Sequence, residues 1–312
     1  MKHTIVGAGG AIGNALAAEL LAYKEEEVRL VSRSNYSIGG TVSVKADVTS
    51  YPELVKSIEG SDVVYLCPGL SYDAEVWAAS WPKIMQNTID ACKSVHAKLI
   101  FFDNVYMYGK VQGKMTEETP YNPCSKKGEI RAKIALQLEE EMKQKNLNAI
   151  IARSADFYGP HALKTSILYM LVIENLMKGK SAQWIVNENK PHSFTYTLDC
   201  GKGLYLLSKN EACYNQVWHL PTSDQLINGK MFIELIAKEL GKKPNYMVLK
   251  KWMLKTYGLF DKTVKEMNEM LYQYDSEYHF DSTKFNAFFN FKPTIYEQGI
   301  SETIDFVKKQ KV

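Results

Sequence analysis

A phosphate-binding turn is written into the first thirteen residues. Gly7-Ala8-Gly9-Gly10-Ala11-Ile12-Gly13 follows a short apolar run, His3-Thr4-Ile5-Val6, and opens a helical one that begins at Asn14. Strand, glycine turn and helix in that order form the context in which glycines cradle a pyrophosphate. One glycine makes the tight turn, another lets amides approach the phosphates, and the last lets helix pack on strand. The helix N-terminus, with Ala11 and Ile12, then faces negative charge. An acidic residue at the end of the second strand would hydrogen-bond the ribose hydroxyls of NAD. Here that place holds Ser32-Arg33-Ser34, and the acidic run Glu25-Glu26-Glu27 precedes the strand, on its other edge. A cation flanked by hydroxyls suits a 2′-phosphate, so Ser32 and Arg33 favour NADP over NAD.

The elements that must position this turn alternate along the first half. Strands are expected at residues 3–6, 28–31, 42–46, 62–66, 98–102 and 149–152. Helices are expected at 52–58, at 74–95 with a break at Pro82, and at 130–145. Continuous apolar strands with intervening helices predict an α/β, doubly wound, Rossmann-like parallel sheet covered on both faces. Residues 1–165 form this dinucleotide-binding domain, to which the chain returns around 192–222. Residues 166–312 form mainly a smaller C-terminal substrate lobe. Helices are expected there at 166–177 and 230–240, and the aromatic-rich stretch 272–291 reads as core.

The chain has 312 residues, of which 46% are hydrophobic, and a formal charge of +3. That charge is too small to argue for a nucleic-acid partner, and the lysine pairs are dispersed. Five cysteines, an odd number without a Cys-x-x-Cys pair, suit a reducing cytoplasm and give no metal signature. The N-terminus lacks the apolar core of a signal peptide, and the richest apolar run, 167–173, is too short to span a bilayer. A cytoplasmic protein without membrane partner or metal is expected.

Further motifs come in a familiar order. After Gly7-x-x-Gly10-x-x-Gly13 stand Asp47-Val48 and Asp62-Val63-Val64-Tyr65. Then come Phe101-Phe102-Asp103-Asn104-Val105-Tyr106-Met107-Tyr108-Gly109, Arg153-Ser154-Ala155-Asp156-Phe157-Tyr158-Gly159-Pro160 and His192-Ser193-Phe194-Thr195-Tyr196-Thr197-Leu198-Asp199. The set resembles the extended and atypical branches of the short-chain dehydrogenase/reductase superfamily, the NAD(P)-dependent epimerase/dehydratase group, over nearly the whole chain. The resemblance implies dinucleotide contacts from Asp47, Val48, Cys67, Pro68, Gly69, Asp103, Ala155, Asp156 and Phe157. It also implies a small carbonyl, hydroxyl or sugar-type substrate against Tyr106, Tyr108, Phe157 and His192, with Trp184 a further candidate. A homodimer through the helices 74–95 and 130–145 is expected.

The catalytic pattern of that group departs here. Its Tyr-x-x-x-Lys pair is replaced by Lys127 and Arg131, and its Ser or Thr by Asn104. The resemblance then implies that Asn104 orients the substrate oxygen and Arg131 holds ribose or phosphate. Lys127, Tyr106 or Tyr108 would handle the proton. The strings Tyr205–Lys209 and Tyr246–Lys250 lie too late in the chain to be that pair. The arginines with which nucleotide-sugar enzymes of the group grip a diphosphate are absent at His192 and before Asp281. Two functions stay open: an NAD(P)-dependent oxidoreductase or epimerase/dehydratase with a non-standard site, and a non-catalytic NADP(H)-binding redox sensor.

Overall fold

The computed structural model describes residues 1–310. Strand β1 (Lys2–Val6) leads through the glycine turn into helix α1 (Ala11–Ala22), followed by β2 (Glu27–Ser32), β3 (Val42–Lys45), α2 (Tyr51–Ile58) and β4 (Val63–Leu66). Helix α3 (Ala74–Val95), β5 (Lys98–Asp103) and helix α4 (Lys126–Lys143) complete the first half. One seven-stranded sheet runs Gln216–His219, Ala149–Arg153, β5, β4, β1, β2, β3, parallel throughout. Alternate residues of each strand feed opposite layers. Ile5, Tyr65, Ile100 and Ile150 pack with Ile12, Leu16 and Leu20 of α1 and with Cys200 and Leu204 of the Thr197–Ser208 helix. Val64, Leu66, Phe101 and Ile151 pack with α2, α3 and α4. The central strands are therefore apolar at nearly every position, as a sheet covered on both faces requires.

The chain returns to the sheet after residue 196. Gly201 brings the Thr197–Ser208 helix so close to α1 that a Cβ there would stand 2.7 Å from the Ala15 carbonyl. A separate core around Trp184, Phe194, Phe232, Tyr296 and Ile300 holds the C-terminal lobe. It joins the helices Gly229–Glu239 and Tyr296–Gln310 to the short parallel pair Asp156–Tyr158 and Phe194–Tyr196.

Two expectations need correction. Helix α3 is continuous through Pro82, because the carbonyl of Ala78, which Pro82 cannot bond, belongs to an exposed residue and is left to water. The expected 166–177 helix is wound as a π-helix over Leu168–Ile173, with α-helix only at Glu174–Met177. The outward face of α3 and α4 carries exposed Lys83, Gln86, Asp90, Lys133 and Glu140, and Leu136 is its one exposed large hydrophobic residue. An interface between two copies on this face would be largely polar. No helix among the described residues is long and apolar enough to cross a membrane.

The acidic run does lie on the N-terminal edge of the sheet. Glu25 accepts hydrogen bonds from Lys209 at 2.8 Å and from the terminal ammonium at 3.1 Å, with His3 at 3.3 Å. Burial alone would raise its pKa; these charged donors outweigh burial and lower it from 4.5 to about 2. A depressed carboxylate contributes stability above its unfolded pKa and loses it as pH falls through the folded value. Glu25→Gln is expected to cost about 1–3 kcal/mol at pH 7. It should also flatten the decline in urea midpoint between pH 4.5 and pH 2.

Candidate functional site

The glycine turn stands at the C-terminal edge of β1. Gly7 and Ala8 donate to the Val31 carbonyl at 3.0 and 3.1 Å. Gly7 has φ +93°, and a Cβ on it would lie 2.5 Å from Pro68 after β4, so the turn closes only around glycine. Gly10 caps α1 with no side-chain hydrogen bond, and the first turn of α1 holds no acidic residue. The leading amides of α1 are thus left for an external anion. A Cβ on Gly10 would meet nothing nearer than the Gly7 carbonyl at 3.7 Å, so the backbone stands back from a cradle of open space. Along the same edge, Ser32 accepts from the Tyr36 amide at 3.0 Å, Arg33 is exposed, and Asp47 is folded into a turn with Thr49 at 2.8–2.9 Å. The residues present fit a dinucleotide.

The family's proton-handling positions fit less well. Parallel register sets Asp103 beside Arg153, and Arg153 beside His219, in a row on the face that α4 covers. Arg131 of α4 turns its guanidinium onto Asp103, with Nε 2.8 Å from Oδ1, and lies 4.3 Å over the Trp81 ring. Arg153 Nε approaches the other carboxylate oxygen at 3.5 Å. Asp103 and Arg153 have no exposed side-chain surface, and Arg131 has 4%. Asp103 and Arg131, expected at the cofactor, are instead an internal ion cluster. Their charges cancel beneath the sheet edge rather than reaching across it.

Tyr108 is corrected likewise. It is buried, accepts from Arg153 at 2.8 Å, and lies 2.8 Å from Nε2 of His219, whose Nδ1 donates to the Asp281 carbonyl at 2.7 Å. Burial outweighs the neighbouring Arg153 and pushes its phenol up to about 12. Asn104 remains at the edge after β5, its side-chain oxygen accepting from the Tyr106 amide at 3.0 Å.

Lys127 is no proton donor in waiting. Its ammonium has no exposed surface, sits 4.6 Å over the Tyr72 ring, and bonds Glu266 and, at 2.7 Å, Glu269. Both acids belong to the segment Lys262–Met270, which also reaches the Ala74 amide through Glu266 and Asp73 through Lys262. Lys127→Ala strips this strap of its buried cation and leaves two carboxylates facing each other. A loss of about 1–3 kcal/mol is expected, with faster hydrogen exchange across 262–270; unchanged exchange there would contradict the assignment.

Where the C-terminal lobe meets the sheet edge, the structure gathers a carboxylate among phenols. Asp156 Oδ2 lies 3.0 Å from His192 Nε2 and accepts from the Tyr274 hydroxyl at 2.9 Å. The His192 ring is held between Tyr274 and Tyr278, with centroids at 4.5 and 4.3 Å and planes within 14° and 9° of parallel. Burial pushes the Tyr106, Tyr274 and Tyr278 phenols well up, and the nearby Asp156 charge adds to it. They are therefore neutral hydrogen-bond donors, not phenolates. Phe157 sits beside this group, against Phe102 at 6.4 Å, and Ala155 is buried next to it. Trp184 is core, 6.5 Å from the His192 ring and edge-on to it. Sequence reasoning missed Tyr72, Tyr274, Tyr278, Glu266 and Glu269. The aromatic-rich stretch 272–291, which reads as core from the sequence, was the available signal for Tyr274 and Tyr278; Glu266 and Glu269 carried none. Tyr205 and Lys209 lie on the opposite edge of the sheet with Glu25, and Tyr246 is on a half-exposed strand of the C-terminal lobe.

Residues 3–217 match the model of the NAD dependent epimerase/dehydratase family. The chain belongs to that family. The match covers the glycine turn, Asp103, Arg153 and Asp156. The chain is 25% identical over 227 residues to an uncharacterised UDP-glucose epimerase of Bacillus subtilis, across 65% of this chain and 71% of that one. In three dimensions it resembles a UDP-glucuronic acid 4-epimerase from Bacillus cereus in complex with NAD, at TM-score 0.82 and 19% identity over the whole of both chains. A dTDP-glucose 4,6-dehydratase from Streptomyces venezuelae with NAD bound gives TM-score 0.82 and 17% identity, over 100% of this chain and 98% of that one. At such identities these structures share the fold. As a family member the chain is an enzyme, and the sensor expectation is left without support.

Proposed function

We propose that this family member is an NAD-dependent epimerase or dehydratase that acts at a hydroxyl-bearing carbon of a sugar-type substrate, with nucleotide sugars the first class to try. The observation that carries the reading is the pairing of two features on one sheet edge. An uncapped glycine turn opens there, and an ionisable group surrounded by neutral donors stands a few strands away. The relatives' names point to UDP- and dTDP-linked sugars. A bound nicotinamide dinucleotide supplies the hydride acceptor and donor. The chain's part is to bind the pyrophosphate with the amides at Gly10, Ala11 and Ile12, to flank the ribose with Ser32 and Asp47, and to orient the substrate oxygen through Asn104. Asp103, Arg131 and Lys127 act at a distance, as the packing that holds those edges in place. The test is a single-turnover absorbance trace at 340 nm with NAD and a panel of UDP- and dTDP-hexoses. A transient or net reduced dinucleotide, or a changed sugar on chromatography, supports the reading; an inert panel at saturating cofactor removes the nucleotide-sugar part of it.

The dinucleotide named with the relatives of known structure is NAD, which revises the expected preference for NADP. Arg33 still bears on it, because it is exposed at the end of β2, where a 2′-phosphate would come. A charge-assisted contact is worth about 1.5–3 kcal/mol. Arg33→Ala is therefore expected to weaken NADPH binding about tenfold or more in calorimetry and to leave NADH within about twofold. Equal losses for both would show that Arg33 does not read the 2′-phosphate.

A further inference from the structure

We propose that Asp156 is the proton-accepting and proton-donating group of this enzyme, with His192 and Tyr274 as the residues that position its carboxylate. The inference rests on the oxidoreductive reading above and replaces the tyrosine phenolate that the family pattern would supply.

The argument is one of elimination and geometry. Of the candidate positions, Lys127, Arg131 and Tyr108 are committed, and burial keeps the Tyr106 phenol neutral. Lys127 is held by Glu266 and Glu269, and Arg131 by Asp103. The Tyr108 hydroxyl is enclosed between Arg153 and His219. Asp156 differs. Its side chain keeps 19% exposure, and both of its fixed contacts fall on Oδ2. Among the described residues Oδ1 has no protein partner. The groups that face it from the surrounding elements are Tyr72 and Tyr106 on the Rossmann side and His192, Tyr272, Tyr274 and Tyr278 from the second half. None is an anion at neutral pH, and only His192 can become a cation. The stack of Tyr274, His192 and Tyr278 holds the imidazole plane and keeps Nε2 directed at Oδ2. A carboxylate pinned at one oxygen and free at the other is arranged for general acid–base work.

The step balances simply. Oxidation of a carbinol breaks its C–H and O–H bonds. The hydride, with its electron pair, goes to the nicotinamide dinucleotide, and the proton goes to Asp156 Oδ1, which becomes a neutral carboxyl. Reduction returns both to the same carbon and oxygen.

The test uses the full chain with NAD and UDP-glucose as first probe. Asp156→Asn keeps the shape and is expected to lower kcat by about 10²–10⁴ with NADH affinity within about twofold. Tyr274→Phe removes one donor from the ionised carboxylate. It should move the acid limb of the kcat profile to higher pH while the plateau stays within about threefold. A purely structural tyrosine would not move that limb. The carboxyl ¹³C titration of Asp156, read without substrate, should show an upward move in Tyr274→Phe as well. An Asp156→Asn enzyme retaining a tenth or more of kcat overturns the proposal, as does an unmoved limb in Tyr274→Phe. If the wild type binds NADH but turns over no nucleotide sugar, the substrate reading is at fault. The ¹³C titration then decides alone: an upward move in Tyr274→Phe upholds the arrangement, and an unmoved one overturns it.

Discussion

Gly10→Val abolishes dinucleotide binding and leaves the far-ultraviolet circular dichroism native: that is the expected result, and the local geometry separates its two halves. Gly10 has φ −79° and ψ 166°, which any L-residue adopts. Its Cβ position is open, with the nearest atom at 3.7 Å. Nothing in the fold therefore resists the side chain. The open space is the space in front of the first amides of α1, which no side chain of the protein caps. A valine placed there covers them and excludes a pyrophosphate. Affinity for NADH in calorimetry should fall by at least about a hundredfold, roughly 2.7 kcal/mol. Gly7→Val would not make this test, because its φ of +93° and the 2.5 Å approach to Pro68 would break the turn itself. An unchanged NADH affinity in folded Gly10→Val would remove the pyrophosphate from this turn.

Asp103→Asn is expected to be as damaging to stability as Gly10→Val is to binding. The carboxylate lies between two guanidinium groups, with no exposed side-chain surface of its own. Removing one partner of a buried ion pair leaves an uncompensated charge and costs about 3–5 kcal/mol. Here the loss falls on two cations at once. Arg153 keeps Tyr108, Tyr121 and a distant Glu139 as partners; Arg131 keeps only ring faces. The urea midpoint should drop by the equivalent of about 3–5 kcal/mol, and Arg131→Met introduced with it should recover part. A loss under about 1 kcal/mol would mean that water reaches the cluster.

The sheet could be read from the chain because its central strands are buried on both faces. Runs such as Val63–Leu66 and Ala149–Arg153 announce that without any partner in view. The glycine turn was readable because its requirements are local: strand before, helix after, no Cβ at Gly7. The catalytic edge was not. Whether Arg131 reaches outward or inward depends on Asp103 and Trp81, 28 and 50 positions earlier in the chain, and no local pattern encodes their approach. The same holds for Lys127, whose partners come from residues 266 and 269. His192 was picked out as a substrate residue, and Asp156 as a cofactor residue. That one carboxylate and one imidazole would meet, between two tyrosines from residues 274 and 278, depends on the packing of the C-terminal lobe on the sheet.

The ion cluster under the sheet edge bears on ancestry and on engineering. On paper this chain stands two substitutions away from the common Tyr-x-x-x-Lys arrangement, Lys127→Tyr and Arg131→Lys. In space the distance is larger. A lysine at 131 offers a point charge where Asp103 is met by a fork, and a tyrosine at 127 leaves Glu266 and Glu269 without their cation. Positions 127 and 131 are thus tied to residues far along the chain, so a substitution at either is felt at Asp103, Glu266 or Glu269 as well.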